Sequence, residues 1–126
     1  MEKQIIQSNN APAPIGPYSQ AVTAGGFTFV SGQIALHPAT GELVTSDIPT
    51  ETTQVMENLK AVLAAAGLTF EHVVKTTIFL TKMSNFATVN EVYGKYFSAN
   101  FPARETVEVA GLPKGVNVEI SVIAAK

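Results

Sequence analysis

Arg104 is the only arginine in a chain whose other basic residues are all lysines. A planar guanidinium grips a carboxylate through two parallel hydrogen bonds, a geometry that lysine does not reproduce. Placed after Phe101-Pro102-Ala103 at the start of a strand, Arg104 suits a fixed anion-binding role. The plainer alternative is a surface ion pair with a nearby Glu, which contributes about 0–1 kcal/mol. Glu119 lies in an alternating run, where Val116, Val118, Ile120 and Val122 share one face and Asn117, Glu119 and Ser121 the other. If the last two strands form a hairpin that aligns Arg104 with Glu119, both side chains point the same way. One small molecule then meets a cation for its carboxylate and a general base. The alternatives are a solvated strand face or a cross-strand ion pair.

Asn90 falls on the stripe Phe86, Asn90, Tyr93, Phe97 of a predicted helix. A buried amide is costly unless its donors and acceptors are satisfied, so Asn90 is expected to tie down a neighbouring loop or strand, or to meet a ligand. Tyr18 follows Gly16-Pro17 in a long loop, and Ser31-Gly32-Gln33 ends a strand. Tyr and Ser hydroxyls suit carboxylate donors, and a glycine lets backbone approach a ligand closely. Taken singly, each also reads as ordinary turn chemistry. His37 is expected in a loop and His72 at a helix start. The sequence holds no Gly-rich phosphate loop, Ser-His-Asp signature or metal-ligand spacing.

These residues need elements to hold them. Residues 8–20 form a Pro- and Gly-rich surface loop. Ala21–Thr23 and Phe27–Gln33 read as a hairpin across Ala24-Gly25-Gly26. From about Thr50, apolar residues recur at Val55, Leu59, Val62, Leu63 and Ala66, a helical face that Gly67 stops. Val73–Thr81 alternates as a strand, and Ser84 is placed to cap a second helix. Two further strands, Arg104–Ala110 and Val116–Ala124, read as a closing hairpin joined by residues 111–115. The order strand, hairpin, helix, strand, helix, hairpin predicts one α+β domain over residues 1–126, a mixed β-sheet with two helices packed on one face. The bare sheet face must then meet solvent or another subunit.

Composition narrows the function. Charged residues are 14% of the chain, against about 25% in an average soluble protein. Buried subunit contacts would account for the deficit, because interface cores lose charge. A net charge of −2 with scattered lysines offers no basic patch for nucleic acid. No apolar run approaches the ~20 residues of a membrane helix, and no apolar signal segment is seen, so a cytoplasmic location is expected. With no cysteine and two histidines, neither a thiolate nucleophile nor a metal site is expected. Residue chemistry by itself reaches a carboxylate-binding enzyme.

Several stretches together carry a resemblance. They are Ile15–Ala21, Ser31–Ile34, Thr40–Glu42, Asn58–Val62, Val74–Thr77, Phe86–Asn90, Phe101–Arg104, Leu112–Lys114 and Val118–Ile120. In this order they resemble the RidA (YjgF/YER057c/UK114) family of reactive-imine deaminases. The resemblance implies a chorismate-mutase-like homotrimer with active sites in the clefts between subunits. It implies hydrolysis of 2-iminopropanoate and 2-iminobutanoate, released by PLP-dependent serine/threonine dehydratases, without a cofactor of its own. It further implies that Arg104 grips the substrate carboxylate with help from Tyr18. Glu119 would orient the attacking water, while Ser31, Gly32 and Asn90 would shape the pocket. Two positions depart from the pattern: Thr106 stands where many relatives have cysteine, and Ser121 where many have a second acid. A hydroxyl or backbone carbonyl at Thr106 would still reach the water. The rival readings are a keto-acid-binding or regulatory protein, an RNA-directed ribonuclease or translation inhibitor, and a chaperone-like protein.

Overall fold

A computed structural model describes residues 2–126; Met1, part of the expected 1–126 unit, lies outside the described residues. Six strands form one sheet: β1 (Gln4–Ile6), β2 (Ala21–Ala24), β3 (Phe27–Gln33), β4 (Val73–Leu80), β5 (Ala103–Glu108) and β6 (Val118–Ala125). Two helices, α1 (Ile48–Ala65) and α2 (Phe86–Gly94), follow β3 and β4. Across the sheet the order is β1-β2-β3-β6-β4-β5, antiparallel throughout except for the parallel pair β4 and β5. This is the expected α+β class, a mixed sheet with its helices on one face.

The alternation near the C-terminus makes β6 central. Val118, Ile120, Val122 and Ala124 are all buried against the helices, while Glu119, Ser121 and Ile123 face the other way. In α1, Val55, Met56, Leu59, Val62 and Leu63 have no exposed surface. Each such burial contributes about 1.5–3 kcal/mol. Asp47 caps the helix by accepting from the Thr50 N–H at 2.7 Å. Gly67, at φ +75°, reverses the chain at the other end, and the Leu68 N–H returns to the Leu63 carbonyl at 2.9 Å.

Three sequence expectations are corrected. The closing strands are not a hairpin, because β5 pairs with β4 and residues 109–117 carry the chain past β4 to β6. The helix between β4 and β5 lets those strands run parallel. The strongly apolar β6 takes the central position, and the largely exposed β5 takes the edge. Ser84 makes no cap bond; it lies in a 3-10 turn, Met83–Asn85, whose first N–H is satisfied by Glu108 Oε1 at 2.6 Å. Asn90 is exposed rather than buried, and its partner is Arg104.

The sheet face away from the helices carries an apolar patch beside the polar positions Glu119, Ser121, Thr77 and the Lys75–Glu105 pair. The register aligns Ile5 with Val22, Val22 with Phe29, Phe29 with Ile123 and Phe79 with Val107. Phe29 is 47% exposed there and Val107 44%.

Candidate active site

Glu119 takes its position from β3. The β3–β6 register shifts between Val30 and Gln33, so Ser31 and Gly32 bulge out of the ladder. A Cβ on Gly32 would lie 2.9 Å from the Glu119 carboxyl carbon and 3.1 Å from its Cγ. Only glycine lets the carboxyl rest against this backbone. Burial raises the Glu119 carboxyl above its ordinary pKa, and among the described residues no hydrogen-bond donor offsets that shift. The carboxyl borders a cavity of about 330 Å³ whose walls include Tyr18, Ser31, Gly32, Gln33 and Pro113.

The long loop beside this cavity is tied down residue by residue. Ser31 Oγ donates to the Ser19 carbonyl at 2.6 Å, and the Tyr18 hydroxyl accepts from the Ile15 N–H at 3.3 Å. The buried Gln20 amide accepts from the Ser8 N–H at 2.7 Å and donates to the Ser8 and Pro12 carbonyls at 3.1 and 2.8 Å. On the far side, the buried Glu51 carboxylate of α1 accepts from Asn117 N, Asn117 Nδ2 and Val118 N at 2.8, 2.8 and 3.0 Å. It thereby fixes the backbone immediately before Glu119.

Arg104 belongs to a second cluster. Its Nη1 donates to Asn90 Oδ1 at 2.5 Å, and its Cζ lies 5.5 Å from the Phe86 ring centroid and 5.2 Å from that of Tyr93. No carboxylate pairs with it; the ion pair found among the described residues joins Lys75 to Glu105 at 3.4 Å. The alternative of a surface ion pair for Arg104 is therefore not what the structure contains. A cavity of about 430 Å³ opens between Asn90, Tyr93, Phe101 and Arg104. Thr106 lies two residues along β5 on the same face, and its Oγ1 is buried without a partner.

The two clusters lie on opposite faces of the sheet. Residues directly paired across strands point to the same side. Arg104 pairs with Thr76, which is buried under α2 and bonded to the Tyr93 hydroxyl at 3.0 Å. Glu119 pairs with Phe79, three residues along β4 from Thr76 and so on the other face. Two strand spacings and three residues separate the backbones by about 14 Å. Tyr18, Ser31, Gly32 and Glu119 are thus brought together, as are Asn90, Arg104 and Thr106. The expected alignment of Arg104 opposite Glu119 fails, because β4 lies between their strands.

A family model described as Endoribonuclease L-PSP matches residues 8–126. The chain belongs to the RidA (YjgF) family. Protein DfrA of Myxococcus xanthus is 59% identical over 126 residues, covering 98% of this chain and 96% of that one. The human protein named 2-iminobutanoate/2-iminopropanoate deaminase is 45% identical over 122 residues, covering 97% of this chain and 89% of its own. The crystal structure of E. coli TdcF with bound serine superposes with a TM-score of 0.93 at 44% identity, covering 98% of each chain.

In this RidA chain three buried polar residues to which the sequence assigns no role, Gln20, Glu51 and Asn58, hold the backbone around the site. Asn58 Nδ2 donates to the Ile34 and Leu36 carbonyls at 3.1 and 3.0 Å and so holds the segment leaving β3. A signal was present, since Glu51 and Asn58 both fall on the apolar stripe of α1 with Val55 and Val62. Gln20 carries none, because by type and place it is one more polar loop residue. No described helix is long and apolar enough to cross a membrane.

Proposed function

We propose that this protein hydrolyses reactive imines of small 2-keto acids, 2-iminopropanoate and 2-iminobutanoate, to the keto acid and ammonium. The observation that carries the reading is Glu119, a half-buried carboxyl beside a cavity, without a hydrogen-bond donor of its own among the described residues. A carboxylate in that state is a ready general base for water. The deaminase name of the human relative supports the same chemistry.

Arg104 binds the substrate carboxylate, with Asn90 holding the guanidinium and Tyr18 helping to position the ligand. Glu119 takes a proton from water as the water oxygen bonds to the imine carbon. Starting from the protonated imine, the carbinolamine so formed receives that proton from Glu119 on its nitrogen. The C–N bond then breaks as the hydroxyl proton passes to the Glu119 carboxylate, leaving the keto carbonyl and ammonia, which departs with that proton as ammonium. Ser31, Gly32 and Thr106 shape the pocket. The imine is already electrophilic, so positioning and one base suffice, and the balanced reaction consumes only water. PLP-dependent serine/threonine dehydratases are the supplying class of reaction.

Arg104 and Glu119 of one chain point to opposite sides of the sheet, so a shared site draws them from different copies. The apolar patch carrying Phe27, Phe29 and Val107 suits packing against those copies, in a homotrimer with its sites between subunits. The test couples a serine/threonine dehydratase to the protein and times keto-acid appearance. Wild type is expected to accelerate it, and Arg104→Ala and Glu119→Ala to lose about 10²–10⁴-fold. No acceleration by a folded trimer would replace this reading with a keto-acid-binding module. A monomeric mass in light scattering would sink the shared site.

A further inference from the structure

Phe86, Asn90 and Tyr93 lie along one stripe of α2, four and three residues apart. All three meet the same guanidinium. Asn90 Oδ1 accepts from Arg104 Nη1, and the guanidinium carbon lies 5.5 and 5.2 Å from the Phe86 and Tyr93 ring centroids. Both distances fall within the range in which a ring face attracts a cation. The Tyr93 ring is itself fixed, because its hydroxyl donates to Thr76 Oγ1 at 3.0 Å, and Thr76 is the strand partner of Arg104. The contacts form a closed circuit: Arg104 to Thr76 through the sheet, Thr76 to Tyr93 through a hydroxyl, and Tyr93 back to Arg104 through its ring.

Phe86 is the member of the set that packing does not explain. It is 38% exposed, while the other large apolar residues of the helix, Val89, Val92 and Tyr93, are buried. Arginine has five N–H donors and several rotatable bonds, so an unsupported guanidinium samples many orientations. Here an amide accepts from Nη1 and two ring centroids lie within 5.5 Å of the guanidinium carbon, while the other N–H groups have no protein partner among the described residues.

We propose that Phe86, acting with Tyr93 and Asn90, is a positioning residue that holds the Arg104 guanidinium ready for a carboxylate. This rests on the reading of Arg104 as the substrate's carboxylate anchor. Phe86 does not touch the reacting atoms; it acts through Arg104, so its loss weakens binding of ground state and transition state alike.

The experiment measures binding of 2-oxobutanoate, a stable keto acid, by calorimetry, alongside kcat and KM in the dehydratase-coupled assay. Phe86→Leu keeps bulk but removes the ring face, and is expected to weaken binding and raise KM about three- to fivefold, with kcat within about twofold. Phe86→Tyr restores a ring and is expected to bind like wild type. In an Arg104→Ala background, Phe86→Leu is expected to change nothing further. Unchanged binding by Phe86→Leu, or a loss that persists in the Arg104→Ala background, would overturn the positioning role while leaving the anchor intact. If Arg104→Ala by itself binds 2-oxobutanoate as wild type does, the anchor reading fails, and the positioning role with it.

Discussion

Arg104 and Glu119 project from opposite faces of one sheet, on strands separated by β4. If both serve one substrate, each site takes its arginine from one copy and its carboxylate from another. Arg104→Ala and Glu119→Ala proteins, each inactive alone, are then expected to regain activity when co-refolded. Random mixing in equal amounts leaves about a quarter of the sites with both native residues, so about a quarter of the wild-type rate should return. The coupled dehydratase assay reads this directly, and a mixture that stays inactive would mean that one chain supplies both groups.

Gly32 separates catalytic geometry from stability. An added methyl would crowd the Glu119 carboxyl carbon at 2.9 Å, and that carboxyl is the far end of a flexible side chain rather than backbone. Gly32→Ala is therefore expected to fold, with a stability change below about 1 kcal/mol in urea unfolding. With Glu119 as the proposed base, its displacement should lower kcat by about 10²-fold. Wild-type turnover in the folded variant would show that the position of Glu119 does not matter.

Burial holds the Glu119 carboxyl above its ordinary pKa, and this has two consequences of known sign. A general base at Glu119, as proposed, works when ionised, so kcat/KM should fall as pH drops through the raised value, with its acid limb above the usual carboxylate range, and level off at higher pH. Folding runs the other way. Between the ordinary and the raised value the folded chain holds more protons than the unfolded one, so stability falls as pH rises through that window and stays lower above it. Glu119→Gln should therefore melt at or above the wild-type temperature at pH 7, with the advantage vanishing below about pH 4. The same variant should lose the acid limb along with about 10²–10⁴-fold of its rate. A lower melting temperature at pH 7 would mean that the half-buried carboxylate is stabilised by contacts outside the single chain.

Local signals were legible in the sequence, and long-range pairing was not. Helix α1 was expected from about Thr50 to Gly67 and runs Ile48–Ala65, because five apolar side chains at helical spacing outweigh everything else in that segment. Strand β4 was expected over Val73–Thr81 and spans Val73–Leu80. The closing hairpin failed because adjacency in sequence is the strongest short-range cue, whereas the position of β6 depends on competition with the distant β3 and β4 for an apolar strand. That single error moved Arg104 and Glu119 from one face to two. Polar residues on helical stripes gave mixed results for a related reason. Glu51 and Asn58 on α1 are buried, as the pattern implies, whereas Asn90 sits at the rim of α2 beside an edge strand and meets a guanidinium instead.

Glu51 provides the last test, linking the core to the site. Its carboxylate, with no exposed surface, receives three hydrogen bonds from Asn117 and Val118, the two residues before Glu119. Removing it strands backbone N–H groups at the start of β6, and unsatisfied buried donors cost about 1–3 kcal/mol each. Glu51→Ala is accordingly expected to lose about 3–5 kcal/mol of stability in urea unfolding. Glu51→Gln should recover only part of this, because its NH₂ group turns a donor toward a donor. The start of β6 also sets where the Glu119 carboxyl lies, so the folded fraction of Glu51→Gln should show a kcat lowered about tenfold with KM little changed. A destabilised variant with unaltered kcat would confine Glu51 to the core. A variant as stable as wild type would mean that these three bonds contribute nothing net to the fold.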